Sequence, residues 1–321
     1  MKSAFVTITV VTPAYNRETT LPNLYQSLKN QTNKDFTWLV VDDGSTDDTE
    51  ALVMGYQQDA PFQVDYVKKE NGGKHTALNV AIERVDTELF FIVDSDDVLT
   101  LDAIETIEED WKRVNHENLC GIGYLRGYDE TNIIGDSYPQ DGDCDNFIHV
   151  RYNLDVTGDK AEVWVTKLLK QYGGFPECED ERFISESVLW IKVSRSHNML
   201  LRNQIIYITE YLPGGLSDSG RKLRFNCPQL MAYGSLETMT SDFSLKNRVK
   251  QALLFIVYSK FGGKGISDIM RLNCKLKGYR GKAYPYPVFT KPEKCVNRII
   301  IMMCYIPGIL LFRYWMGKYM K

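Results

Sequence analysis

Three aspartates in four positions, Asp94, Asp96 and Asp97, follow the apolar run Leu89 to Val93. If the extended conformation persists past Val93, Asp94 and Asp96 project from the same face. Two carboxylates so placed repel one another unless one takes a proton or a cation sits between them. A hard divalent ion, completed by phosphate oxygens and water, suits such a pair; a solvated turn before a helix near Asp102 is the simpler alternative. Gly72-Gly73-Lys74 is the counterpart. Glycines admit a phosphate close to the backbone, and a lysine at a helix start adds its charge to the dipole; a plain glycine turn would use the same residues. Asp42, at the end of another apolar run, can accept the imide hydrogen of a uracil ring or serve as a capping or salt-bridged aspartate.

These residues need a frame that brings them to one edge. Ala4 to Val11, Phe36 to Val41, Phe62 to Val67 and Leu89 to Val93 read as strands, separated by helices over Leu21 to Asn30, from about Ser45, over Lys74 to Val85 and from Asp102 to about Asn115. Apolar strands alternating with helices predict a parallel sheet covered on both faces. In such a sheet ligands bind beyond the carboxyl ends of the strands. Those ends are Thr12 to Arg17, Asp42 to Ser45, Asn71 to His75 and Asp94 to Asp97, a polar edge with several carboxylates and a lysine.

A cation on a diphosphate helps a leaving group depart but supplies no base. The second half offers an acidic cluster, Glu177, Glu179, Asp180, Glu181 and Glu186, after the break Gly173-Gly174-Phe175-Pro176. Glu186 opens an apolar helix, and partial burial there favours a general base; a helix-start acid without chemistry is the alternative. The four histidines share no spacing and receive no role. Seven cysteines without a C-x-x-C fit reduced thiols in a cytoplasm. The N-terminal apolar run carries alternating threonines and no cleavage site, and reads as a strand rather than a signal peptide.

Together these motifs resemble family 2 of the inverting glycosyltransferases, with its nucleotide-diphospho-sugar transferase (GT-A) fold. The matching pieces are Val10 to Arg17, Val41 to Asp47, Asn71-Gly72-Gly73-Lys74 with Asn79, and Val93 to Asp97. The resemblance implies an α/β Rossmann-like mixed sheet flanked by helices over residues 1–240, with residues 1–115 as the nucleotide half and 116–240 as the acceptor half. It places Thr12, Pro13, Asn16, Arg17, Asp42, Gly73, Lys74, Asn79, Asp94 and Ser95 around the donor. Asp94 and Asp96 would hold Mg²⁺ or Mn²⁺. The family's base sits in a Glu-Asp pair at a helix start; Glu186 fits by placement although Ser187 replaces the aspartate, and Glu179-Asp180 keeps the pair without the helix. Arg221 and Arg224, after Leu212 to Ser217, would belong to a loop closing on the diphosphate. The implied reaction moves a sugar from a nucleotide-diphospho-sugar, a UDP-sugar, to a hydroxyl of a glycan or lipid-linked saccharide. A nucleotide-sugar-binding module that has lost its base, and a haloacid-dehalogenase-like phosphotransferase reading of Asp94-Ser95-Asp96-Asp97-Val98, are the rival readings.

The net charge of −4 over 321 residues excludes a protein that works by coating nucleic acid. The charge is divided unevenly. From Ser244 onward there are 16 basic and two acidic residues. This helical, basic region, residues 241–321, contains the apolar run Ile299 to Phe312 between Arg298 and Arg313, interrupted by Pro307-Gly308 and shorter than a span requires. A cytoplasmic protein lying on the anionic inner face of the cell membrane is the expectation, with a buried core helix as the alternative.

Overall fold

The computed structural model describes residues 8–114, 116–209, 222–272, 276 and 289–319. Its first half alternates as the hydrophobic pattern requires: β1 (Ile8–Ala14), α1 (Leu21–Asn30), β2 (Phe36–Asp42), α2 (Thr49–Asp59), β3 (Gln63–Lys68), α3 (Lys74–Arg84) and β4 (Leu89–Ile92). These strands are parallel in the order β3-β2-β1-β4. Successive residues point to opposite faces. Ile8 and Val10 therefore join Trp38 and Val40 in one apolar cluster, while Val11 joins Leu39 and Val41 in another.

The second half makes the sheet mixed. It comprises β5 (Val98–Leu99), α4 (Ala103–Arg113), β6 (Leu119–Gly127), β7 (Cys144–Asp145), a π-helical turn (His149–Asn153), β8 (Lys160–Val165), α5 (Thr166–Gln171), α6 (Ser187–Ser194) and β9 (Asn198–Ile208). The sheet continues from β4 through β8, β6 and β9 to β5, with β7 also on β9. β8 is antiparallel to both β4 and β6, whereas β6 and β9 are parallel. Antiparallel insertion of β8 brings the C-terminal end of β6, with Arg126, to the same edge as the end of β4.

Among the described residues there follow, after a short helical stretch at 222–225, α7 (Pro228–Glu237), α8 (Leu245–Phe261), α9 (Ile266–Met270) and α10 (Lys291–Tyr319). They form a third apolar cluster that also takes in Ile184 and Val188, so this core bridges both sides of residue 240. Asn297 of α10 is fully buried; its amide donates to the Met239 carbonyl at 3.0 Å and its Oδ1 accepts from Arg248 at 2.7 Å. Gly308 sits against α8, where an added Cβ would come within 2.8 Å of Ile256.

Two sequence expectations change. The helix after β2 begins at Thr49 rather than near Ser45, because Asp47 is engaged with Glu18 and Thr49 in the preceding loop. Pro307-Gly308 does not interrupt the C-terminal helix, which runs 29 residues and is long and apolar enough to cross a membrane by length and composition alone. Proline removes one helical hydrogen bond and crowds the preceding turn. Pro307 lies on the exposed side, and the buried side is anchored on either flank by Ile301, Gly308 and Trp315.

Replacing Asn297 by Ala would leave the Met239 carbonyl and the Arg248 guanidinium short of a partner inside the helical layer. We expect a loss of about 2 kcal/mol in denaturant-unfolding stability; an unchanged midpoint would sink this account of the helix anchor.

Candidate functional site

The site is assembled by loops that bind one another before they bind anything else. After β1, the Asn16 N–H donates to Ser45 Oγ and its Oδ1 accepts from the Thr46 N–H, both at 2.8 Å. The Arg17 N–H donates to Thr49 Oγ1 at 2.8 Å, and the Glu18 N–H to Asp47 at 3.0 Å. Asn16 takes φ = +52°, a left-handed conformation that asparagine tolerates better than most residues. The loops after β1 and β2 are thus one unit.

Asp43, which the sequence reading passed over in favour of Asp42, builds the glycine turn. Its carboxylate accepts from Lys69 Nζ at 2.7 Å and from the N–H groups of Gly72 and Gly73 at 2.9 and 2.7 Å. Gly73 has φ = +97°, and a Cβ there would fall 2.1 Å from the Arg182 carbonyl oxygen. Only glycine fits both constraints. Helix α3 then starts at Lys74, as expected.

Lys74 is the point of convergence. Its Nζ lies 2.6 Å from Asp94 Oδ1 and 2.8 Å from Glu186 Oε1. Asp94 comes from the loop after β4, and Glu186 stands immediately before α6. Burial alone would lower the Lys74 ammonium, but the two carboxylates outweigh it and hold its pKa above the ordinary value. Burial likewise works to raise the Asp94 carboxyl, yet Lys74 and Arg126 hold it below the usual carboxylate range.

Arg126 forms the opposite wall, 3.9 Å from Asp94 Oδ2 and 3.6 Å from Asp97 Oδ2. Its guanidinium lies 3.9 Å over the Tyr207 ring, and its Nε donates to the Lys160 carbonyl at 2.9 Å. The Tyr207 hydroxyl donates to Asp97 at 2.7 Å and accepts the Asp94 N–H at 2.9 Å. Asp97 is buried, and burial together with the neighbouring Asp94 charge pushes its carboxyl up to about 7 against the opposing effects of Tyr207 and Arg126. Sequence inspection missed Arg126 and Tyr207; the available signal was one arginine inside an otherwise apolar strand.

Several of the expected residues have defined partners. Arg17 Nε donates to Ser95 Oγ at 2.9 Å, joining the first and fourth strand ends. Asn79 binds the Phe175 backbone through both ends of its amide, at 2.9 and 2.7 Å, and donates to Glu177 at 2.7 Å. It positions the Gly-Gly-Phe-Pro break from beneath the site. Glu181 accepts the Gln229 and Leu230 N–H groups at the start of α7. Glu179 and Asp180 lie exposed on the turn at 178–181, whereas Glu186 is held at Lys74.

Others are displaced. Thr12 is fully buried and its hydroxyl accepts from the Trp38 indole at 2.9 Å; Pro13 is buried as well. Asp42 is fully buried, with its two oxygens taken by the Ser45 N–H and the Tyr66 hydroxyl. Asp94 and Asp96 do not share a strand face: β4 ends at Ile92, and the Asp97 N–H donates to the Asp94 carbonyl in a turn. Arg224 is exposed in a short helical stretch, while Arg221 and Leu212 to Ser217 lie outside the described residues. His75 is buried with neither ring nitrogen bonded to a described residue, and burial pushes it down to about 4, so the ring is neutral.

The donor set suits a particular kind of ion. Among the described residues no three His, Cys, Asp or Glu side chains converge as a closed metal cage. Asp96 is partly exposed and makes no ion pair with a described residue, whereas the charge of Asp94 is already balanced by Lys74 and Arg126. One or two carboxylates with space beyond them fit a hard divalent ion that takes its remaining ligands from phosphate and water. A cleft of about 770 Å³ flanks the Gly72 side, lined by Lys69, Asn71, Thr76, Asn79, Glu177 and Arg182 among others. The chemistry is therefore marked by converging charges beside this cleft rather than inside it.

Residues 9–157 match the sequence profile of Glycosyl transferase family 2. Glycosyltransferase GlyA of Streptococcus pneumoniae serotype 4 is 31% identical over 137 residues, covering 41% of this chain and 19% of that protein. The teichoic acid poly(glycerol phosphate) polymerase of Staphylococcus epidermidis is 34% identical over 98 residues, 30% of this chain and 14% of the polymerase. The chain therefore matches less than a fifth of the length of either relative. Among solved structures, S. aureus TarS 1–349 in complex with UDP-GlcNAc superposes with a TM-score of 0.58 at 18% identity, over 96% of this chain and 91% of that one. A mannosyltransferase from Pyrobaculum calidifontis in complex with GDP-Man and Mn²⁺ gives 0.55 at 15% identity, over 94% and 87%. At these identities the superpositions establish the mixed α/β GT-A fold.

Two outcomes follow from the geometry. Gly73→Ala forces a Cβ into the Arg182 carbonyl at a positive φ, which should cost about 2 kcal/mol or more in denaturant-unfolding stability; an unchanged midpoint would contradict the turn's role. Asp97, with its carboxyl raised in the folded state, favours folding below the unfolded pKa and loses that contribution as pH rises from about 4 to about 7. In metal-free buffer the stability difference between wild type and Asp97→Asn should shift against wild type by on the order of 2–4 kcal/mol across that window. A difference that stays flat with pH would refute the shift.

Proposed function

We propose that this chain, a member of glycosyl transferase family 2 through residues 9–157, moves a sugar from a UDP-sugar to a hydroxyl of a glycan or lipid-linked saccharide. The observation that carries the reading is the Lys74 ammonium joined to both Asp94 and Glu186. It puts a phosphate-binding cation, a carboxylate suited to a metal-bearing diphosphate and a candidate base within the span of one side chain.

In the reaction we infer, the acceptor oxygen forms a bond to the anomeric carbon while the bond from that carbon to the diphosphate breaks. Glu186 takes the acceptor's proton. The electron pair leaves with the nucleoside diphosphate, whose charge Lys74 and the N–H groups at the start of α3 are placed to stabilise. A single displacement of this kind inverts the anomeric centre. Asp96, together with Asp94, would hold Mg²⁺ or Mn²⁺, which would supply positive charge beside the diphosphate. Arg126 and Tyr207 fix Asp94, while Arg17 and Ser95 tie the adjoining loops. The nucleotide is read as UDP by analogy with the fold relative in complex with UDP-GlcNAc.

The basic C-terminal region supports an acceptor carried on a lipid at the cytoplasmic face of the membrane. The name of one relative, a teichoic acid poly(glycerol phosphate) polymerase, is consistent with a role in assembling cell-envelope polymers.

The test is Glu186→Gln, which keeps the size and polarity of the side chain and removes the base. Transfer should fall by about a hundredfold or more while UDP affinity in the presence of Mn²⁺ stays within about twofold. Undiminished turnover would overturn the base assignment, and binding of GDP-sugars to the exclusion of UDP-sugars would overturn the donor.

A further inference from the structure

We propose that the exposed side of α10 is a bilayer-docking face, lying flat on anionic lipid while its other side stays in the protein core. This rests on the membrane-surface reading above and supplies its geometry. Of the fifteen strongly exposed large apolar side chains among the described residues, eight lie on this one helix: Val296, Ile299, Met302, Met303, Ile306, Leu310, Tyr314 and Met316. Such side chains scattered singly would need no explanation; here Ile299, Met303, Ile306, Leu310 and Tyr314 recur at helical spacing and form a stripe. Met303 and Ile306, at its centre, are 76% and 72% exposed. No charged residue occurs from Ile299 to Phe312, a stretch about 20 Å long.

Charge selects the occupant. Lys291, Lys294 and Arg298 precede the stripe, and Arg313 and Lys318 follow it. A second copy packed antiparallel on the stripe would set one basic end against the other, and a parallel copy would stack like on like. The helix has one acid, Glu293, and its carboxylate is occupied by Ser241 and Thr290. Anionic headgroups satisfy both ends at once while the apolar middle enters the acyl boundary.

The buried side fixes the depth. Ile300, Ile301, Cys304, Gly308 and Trp315 belong to the core shared with α8, and Asn297 is bonded to Met239 and Arg248. A spanning helix would expose Asn297 to hydrocarbon and empty that core, although its length alone would allow a span. The arrangement suits a helix half in protein and half in the interface.

The full chain should sediment with vesicles of mixed phosphatidylglycerol and phosphatidylcholine, and only weakly with phosphatidylcholine alone. Met303→Glu combined with Ile306→Glu should reduce binding about tenfold or more without changing thermal stability or UDP affinity. Arg298→Glu combined with Arg313→Glu should remove the preference for anionic lipid. Undiminished vesicle binding by the Met303/Ile306 double variant would overturn the proposal. So would resistance of the bound protein to alkaline extraction, the mark of a span, or a lipid-free dimer that the same substitutions dissolve, the mark of a second copy. Retained UDP binding with no vesicle binding rejects the face and leaves the transferase reading intact; vesicle binding without any nucleotide binding does the reverse.

Discussion

The ammonium of Lys74 is the interaction on which the site depends. It joins the start of α3, the loop after β4 and the start of α6, three elements that the sequence scatters over more than a hundred residues. Two carboxylates brought together without it would repel, and in a partly desolvated place that repulsion is not screened away. The charge that holds the two carboxylates together is also the one that, in the proposed reaction, would face the diphosphate. Any anion that draws on Lys74 does so at the expense of its bonds to Asp94 and Glu186.

A second arrangement keeps that first one in register. Arg126 is stacked on Tyr207 and faces Asp94 and Asp97, so Asp94 is held between two cations from opposite sides. Burial and the neighbouring Asp94 charge push the Asp97 carboxyl up to about 7, so it takes a proton more readily than an ordinary aspartate and eases the repulsion among three aspartates in one short turn. The backbone beneath is equally committed: Asp43 fastens the glycine turn, and the loops after β1 and β2 are bonded to each other. Few of these groups have freedom to reorganise, which is what electrostatic catalysis asks of a site.

Much of this was legible in the sequence, and the limits are instructive. The parallel half, β1 to β4, announces itself through alternating apolar runs, and the polar strand ends that follow are where the site stands. What local pattern could not show was the effect of pairing between distant strands. Arg126 becomes part of the site only because β6 lies beside β9, bringing Tyr207 beneath it. The choice between Asp42 and Asp43 is likewise tertiary: adjacent residues of one type face opposite ways, and only the fold decides which reaches the glycine turn. The partner of Thr12 is likewise tertiary, since its hydroxyl bonds a tryptophan on the next strand. At the other end of the chain, Pro307 misled the reading of α10 because a helix anchored on both flanks can carry a proline on its wet side.

The amide of Asn79 has a consequence for how such an enzyme can change. It holds the backbone of Phe175 as a neighbouring strand would, across 96 positions of sequence. The stretch between them is also tied along the sheet, through β4 on β1 and β8 on β4, and Asn79 adds a pin at its far end. The loops around β7 fall between these ties, so a change in their length need not move the start of α6 from its station opposite Lys74. If Glu186 takes the acceptor's proton as proposed, contacts to the acceptor and the placement of that carboxylate are separately adjustable.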